Sequence, residues 1–213
     1  MSGMNGDSKM ADHAAAWNHH YVTDPEKVGS GYGSLPASAI SYRKTVEQFI
    51  RTNRVHSVLD IGCGDWQFSK FIPWKEYDVS YTGVDVSSMI IKKNRKRYAS
   101  EKIKFDVILD PHDIECGVYD LILIKDVFRH CPNEIVLQYL SILPRITKFA
   151  LITNDEAPSS DVHVLNCDIP GGHSWRPIDI RREPFLQKSA VIAEYVNFLD
   201  ERYWVKRIHL LVY

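Results

Sequence analysis

Asp60, Gly62 and Gly64 stand in the run Ser57-Val58-Leu59-Asp60-Ile61-Gly62-Cys63-Gly64-Asp65, where a short apolar stretch carries an acid and then two closely spaced glycines. The pattern reads as a buried strand entering a tight turn, because glycine permits a left-handed backbone and lets a ligand approach where a Cβ would obstruct it. A helix expected over about 66–72 would present its N-terminus to whatever sits over the turn. A dinucleotide site wants a third glycine three residues on, and Gln67 stands there instead. Asp60 would oppose a pyrophosphate yet suits a cationic amino-acid group. About 20 residues beyond the turn, Asp85 ends the strand-like run 80–86, where its carboxylate can accept both hydroxyls of a ribose.

A second group with chemical capacity follows the apolar run 119–125, namely Asp126-Val127-Phe128-Arg129-His130. In open α/β sheets ligands bind at the carboxyl ends of the strands, which puts this group beside the glycine turn. His130 is the general-base candidate, since an imidazole with an ordinary pKa near ~6.5 accepts a hydroxyl proton near neutrality. Asp126, four residues earlier, would orient it if a helical turn starts there, although Pro132 prevents a long helix.

From about 55 to 153 the chain resembles the class I S-adenosylmethionine-dependent methyltransferases, whose first motif reads like Leu59-Asp60-Ile61-Gly62-Cys63-Gly64. The resemblance implies S-adenosylmethionine as cofactor, held by Asp60, Gly62, Gly64 and Asp85, and an acid after the third strand meeting the adenine amino group. Asp110 takes that place, with Asp113 as the alternative. It also implies a Rossmann-like α/β fold: a seven-stranded, mostly parallel sheet with helices on both faces and an antiparallel C-terminal strand. Members of this class carry a histidine at the position of His130 for structural reasons too, so both roles stand for it. Some O-methyltransferases of the class bind Mg²⁺ through an acid after the fourth strand and an Asp-Asn pair after the fifth. Asp126, Asn154 and Asp155 imitate that set with the last pair reversed, and no metal is assigned.

The elements that must position these residues are legible in order. Residues 1–12 are polar and without periodicity and read as a disordered leader; 13–213 form one domain. Trp17, His19, His20 and the glycine-rich 29–34 resemble segments that close over the cofactor, or else Trp17 covers the core and the histidines are solvated. A helix is expected over 38–52, with Ile40, Val46, Phe49 and Ile50 on one face. Another is expected over 87–98, capped by Ser87 or Ser88. Its basic stretch 92–97 is a solvated face or a phosphate contact. Strands follow at 102–109, 119–125 and 147–153, and a helix over 133–143 shows Val136, Tyr139, Leu140 and Leu143 on one face. Segments 190–198 and 205–213 close the sheet in the resembling fold, although the first also reads as a helix.

Between them, 156–185 has little periodicity, and loops this long are functional or disordered. It holds His173, Trp175, Arg176 and Asp179, an aromatic with polar neighbours that would stack on a sugar face and bond its hydroxyls; a packed structural loop is the other reading. Asp161, His163, Cys167 and His173 lack a zinc spacing.

With 26 basic and 27 acidic side chains, the net charge of −1 gives no global field for nucleic acid or an anionic membrane. The acceptor is expected to be a small molecule or glycan. Cys63, Cys116, Cys131 and Cys167 form no C-x-x-C pair, nothing resembles a signal peptide, and no apolar run approaches the ~20 residues of a membrane helix. These features point to the cytoplasm, and the resemblance, taken with His130 and the loop around Trp175, implies O-methylation of a sugar or similar polar small molecule. An NAD-binding oxidoreductase and a non-catalytic methyltransferase-like partner protein are the alternatives.

Overall fold

The computed structural model describes residues 4–23, 29–114, 119–156, 163–199 and 202–213; Cys116 and Asp161 lie outside them. Alternation builds the sheet's centre. In β1 (Ser57–Ile61) and β4 (Tyr119–Lys125), Val58, Leu121 and Leu123 enter one core while Leu59, Ile61, Ile122 and Ile124 enter the other. Both faces are therefore covered, as the continuous apolar run of β4 requires. With β2 (Ser80–Asp85), β3 (Ile103–Val107), β5 (Thr147–Asp155), β6 (Ala190–Leu199) and β7 (Arg202–Val212), the sheet has the order β3-β2-β1-β4-β5-β7-β6. The first five strands are parallel, and β7 is antiparallel to both β5 and β6. The sheet order reverses between β1 and β4, which is where an open α/β sheet opens a crevice.

Among the described residues four α-helices flank the sheet: α1 (Met4–Thr23), α2 (Ile40–Asn53), α3 (Ser88–Tyr98) and α4 (Asn133–Ile146). In α2, Tyr42, Val46, Phe49 and Ile50 are buried, and Ile40, expected on that face, is exposed because the helix only begins there. Ser87 caps α3 by accepting from the Ile90 amide at 3.4 Å. Ile90, Ile91 and Asn94 of α3 face inward, while Lys92, Lys93 and Arg95–Arg97 face solvent. Helix α4 runs through Pro144 to Ile146, three residues past its expected end.

Two expectations are corrected. Residues 4–12 are not a structureless leader, since α1 begins at Met4 and buries Met10 and His13. No α-helix follows the glycine turn; turns and a single 3-10 turn at Ser69–Phe71 stand there. Trp66, Phe68, Ile72 and Trp74 are all buried, a set too close for one helical stripe, and Trp66 sits at φ 57. Trp66 instead packs against Tyr81, Tyr98 and Phe105 with ring centroids 4.9–5.6 Å apart, plugging the core beside β2. The glycine turn thus gains nothing from a helix dipole.

Candidate active site

The glycine turn is fixed by β2. The amides of Gly62 and Cys63 donate to the Val84 carbonyl at 2.8 and 3.0 Å, and the Asn94 side-chain amide donates to the Gly64 carbonyl at 2.7 Å. Gly62 sits at φ 72 and Gly64 at φ 55, and an added Cβ would collide with Val127 Cγ2 at the first and Ser30 Oγ at the second. Both positions therefore need glycine for conformation and for space. Asp85 closes the turn, its carboxylate accepting from the Gly64 amide at 3.0 Å and the Ser87 amide at 2.9 Å.

A cavity of about 310 Å³ opens at this end of the sheet. Its β1–β2 half is walled by Ile61, Gly62, Gly64, Val84, Asp85, Val86 and Ile108, and its β4–β5–β7 half carries Lys125, Asp126, Arg129, His130, Asp155 and Lys206. Met10, His13, Trp17 and Tyr21 of α1 and residues 30–34 complete the wall. Ser30 fastens that N-terminal cover: its hydroxyl donates to Asp65 Oδ1 at 2.9 Å and accepts from the Asp65 amide at 2.8 Å. Trp17 is therefore part of the site, and of the adjacent histidines His19 is exposed while His20 bonds the Gly29 carbonyl at 2.7 Å.

The charged half is a chain of ion pairs. Asp126 takes φ 59 at the end of β4, and its amide donates to the Thr153 carbonyl at 2.8 Å. Lys125 Nζ meets Asp126 Oδ2 at 2.6 Å, and Lys206 Nζ bridges Asp126 Oδ1 and Asp155 Oδ1, each at 2.6 Å. The pairing of β5 with β7 supplies that bridge by setting Asp155 opposite Lys206. Arg129 pairs with Asp155 Oδ2. Burial alone would raise the Asp126 carboxyl, but Lys125, then Lys206 and Arg129, hold it well below the usual carboxylate range. Burial lowers Lys206 to about 8. All four carboxylate oxygens of Asp126 and Asp155 are taken by ammonium or guanidinium groups, so these residues with Asn154 are not a donor set suited to a divalent cation.

The two cavity histidines carry opposite tautomers. His130 Nδ1 lies 3.0 Å from the Ser174 carbonyl, which can only accept, so the proton is on Nδ1 and the lone pair on Nε2. His13 Nδ1 accepts from the Gly172 amide at 2.8 Å, so its neutral ring carries the proton on Nε2. Burial, then the field of Arg129, lowers His130 to about 3. Burial, then His173, lowers His13 to about 4. Both rings are neutral at physiological pH.

Asp126, His130, Gly62, Gly64, Asp85 and Trp175 all reach the cavity. Others chosen from sequence do not line it. Asp60 is buried between the Tyr81 hydroxyl, at 2.6 Å, and Ser69, and burial pushes it up to about 7. Asp110 accepts from the His112 amide at 2.7 Å and caps its own turn, with Asp113 in the same turn. Arg176 is 1% exposed and ties the loop to the core through the Phe128 carbonyl, at 2.5 Å, and Asn133. Asp179 pairs with Arg181 and Arg182, and exposed His173 bonds the Ala16 carbonyl at 3.1 Å. Ligand atoms of Glu156, Asp179 and His209 lie within 4.8 Å of one another, but Arg181, Arg182 and Arg207 already hold both carboxylates. Sequence reasoning missed His13, Lys125, Arg129, Lys206 and Trp204; Lys125 is a cation ending an otherwise apolar strand, which was a usable signal.

The β1–β2 half fits S-adenosylmethionine. The Asp85 oxygens, each holding one amide, keep lone pairs that would accept the ribose hydroxyls, and Gly62 and Gly64 on the same wall would face the methionine end. Burial raises Asp85 to about 6, so acidification from pH 7 to pH 5 protonates it and removes that acceptor. Affinity for S-adenosylhomocysteine should therefore fall about tenfold over that interval. A flat calorimetric profile would contradict the ribose role.

Residues 59–147 match the family described as Methyltransferase domain. No curated protein matches the sequence. Among solved structures, the magnesium protoporphyrin IX methyltransferase of Synechocystis PCC 6803 with bound S-adenosylhomocysteine aligns at TM-score 0.56 and 17% identity, over 81% of this chain and 82% of that one. TehB from Haemophilus influenzae aligns at 0.56 and 16%, over 79% and 61%. The N-terminal domain of EvdMO1, crystallised in the presence of S-adenosylhomocysteine and D-fucose, aligns at 0.55 and 11%, over 80% and 82%. At these identities the likeness is one of fold. The glycine turn, the strand order and the domain match agree: residues 59–147 are similar to a methyltransferase domain, and the fold is that of the class I S-adenosylmethionine-dependent methyltransferases.

Proposed function

We propose that the enzyme methylates a hydroxyl oxygen of a sugar or similar polar small molecule, with His130 as general base. The observation that carries this reading is the tautomer of His130, whose Nδ1–H is spent on the Ser174 carbonyl so that Nε2 offers its lone pair on the cavity wall. S-adenosylmethionine supplies an activated methyl group. The chain's share is to align the acceptor and take its proton. A lowered imidazole pKa suffices, because a hydroxyl proton becomes strongly acidic once its oxygen begins to bond to carbon. His13, with Nε2–H, is placed to donate to a neighbouring acceptor oxygen.

Asp126 is a positioning residue in this reading. Held by two ammonium groups, it fixes the turn that leads to His130. Trp175 and Trp204, 5.1 Å apart, give an apolar wall suited to a sugar face. The EvdMO1 domain, crystallised in the presence of a deoxysugar, lends the sugar class support. No helix among the described residues is long and apolar enough to cross a membrane. Unpaired Cys63, Cys131 and Cys167 suit a reducing compartment, and we place the reaction in the cytoplasm.

The test is incubation with S-adenosylmethionine and a panel of monosaccharides, sugar acids, sugar phosphates and amino sugars, read by mass spectrometry. An O-methyl product is expected. A product methylated only on nitrogen would contradict the proposal.

A further inference from the structure

The β4–β5–β7 half of the cavity holds more buried cation than anion. Lys125, Arg129 and Lys206 stand against Asp126 and Asp155, and each oxygen of those two carboxylates lies within ion-pair distance of one of the cations, Asp155 Oδ1 without a hydrogen bond. Arg129 Nε is buried without a hydrogen-bond partner. Within this wall the cations outnumber the carboxylates by one, and Asp60, the other buried acid that feels Lys125, is pushed up to about 7 by burial, so a further anion would be well matched here. The remaining cavity acid, Asp85, belongs to the β1–β2 half, and none of the three cations is among the main influences on it. It does not serve as their counterion.

We propose that the methyl acceptor carries an acid group, a carboxylate or a phosphate, that seats against Arg129 and Lys206 beneath Trp175. This rests on the methyl-transfer reading above and names the acceptor's class within it. The guanidinium carbon of Arg129 lies over the Trp175 ring, 4.7 Å from its centroid, and a guanidinium's forked donors suit a planar acid. Trp175 is 46% exposed and keeps a face for the body of the acceptor. Arg129 adjoins His130 in the same wall, and its field is one of the forces that depress the imidazole. An anion in the seat cancels that field, so an acceptor bearing the acid group also strengthens the base that deprotonates its hydroxyl.

The test is calorimetry on the full chain saturated with S-adenosylhomocysteine, titrated with glucuronate, glucose 6-phosphate and glucose in turn. One or both acids are expected to bind at least about tenfold more tightly than glucose, a difference of about 1.4 kcal/mol, and which acid wins tells carboxylate from phosphate. Arg129→Met should abolish that preference while S-adenosylhomocysteine still binds. Equal binding of acid and neutral sugar, binding of neither acid, or a preference that survives Arg129→Met would overturn the proposal. So would acid binding that disappears on adding S-adenosylhomocysteine, which would give the seat to the cofactor's own carboxylate. The wild-type comparison stands without the variant should Arg129→Met not fold. Failure of S-adenosylhomocysteine to bind would instead sink the methyl-transfer reading, and the same titration of unliganded protein would still read the seat.

Discussion

His130→Ala is expected to lower kcat by about 10²–10⁴, the usual range for loss of a general base, while the affinity for S-adenosylhomocysteine stays within about twofold of wild type. The separation follows from geometry. His130 lies on the β4 side of the cavity, whereas Gly62 and Gly64, proposed to meet the cofactor, follow β1 and Asp85 ends β2. The pH profile sharpens the test. Because the folded pKa of His130 is lowered to about 3, acidification leaves the ring unprotonated until well below pH 5. The kcat profile should therefore show no inflection near pH 6.5 from this group, although cofactor affinity weakens as Asp85 protonates near pH 6. Wild-type turnover by His130→Ala would leave a mechanism of alignment alone.

Lys206→Met is expected to cost about 3–5 kcal/mol of stability, the range for removing one partner from a buried ion pair. Lys206 is 1% exposed and is the only described group that bridges Asp126 and Asp155. Methionine fills similar space, so the loss reports charge, not volume. Each kcal/mol shifts Tm by about 2–4 °C in a chain of this length, giving a fall of roughly 6–20 °C by calorimetry. A fall under about 3 °C would show that the carboxylates are satisfied without it. The site's electrostatics thus double as a structural clasp between β4, β5 and β7.

The frame was readable because sheets buried on both faces write themselves as apolar runs of strand length. Tyr119–Lys125 was placed to the residue, and β1, β2 and β5 to within two residues. The helix after Gly64 is missing. It was expected because one usually follows such a turn, whereas Trp66, Phe68, Ile72 and Trp74 are all buried at a spacing that no single helical face carries. The loop gave a similar lesson. Trp175 and Arg176 are adjacent, yet one lines the cavity and the other locks Phe128 and Asn133, a division that depends on contacts with a distant segment. Lys206 was invisible as a site residue because only the antiparallel return of β7 sets it opposite Asp155. His13 was hidden for another reason: nothing beside it in the chain marks it, and its partner Gly172 is 159 positions away.

Asp85 remains the residue on which the cofactor assignment turns. Calorimetric titration of wild type and Asp85→Ala with S-adenosylhomocysteine and NAD tests it most directly. The expected result is saturable binding of one equivalent of S-adenosylhomocysteine, no heat with NAD, and at least about tenfold weaker binding in Asp85→Ala, or about 1.4 kcal/mol. Binding of NAD in place of S-adenosylhomocysteine, or an Asp85→Ala protein that binds as tightly as wild type, would contradict it.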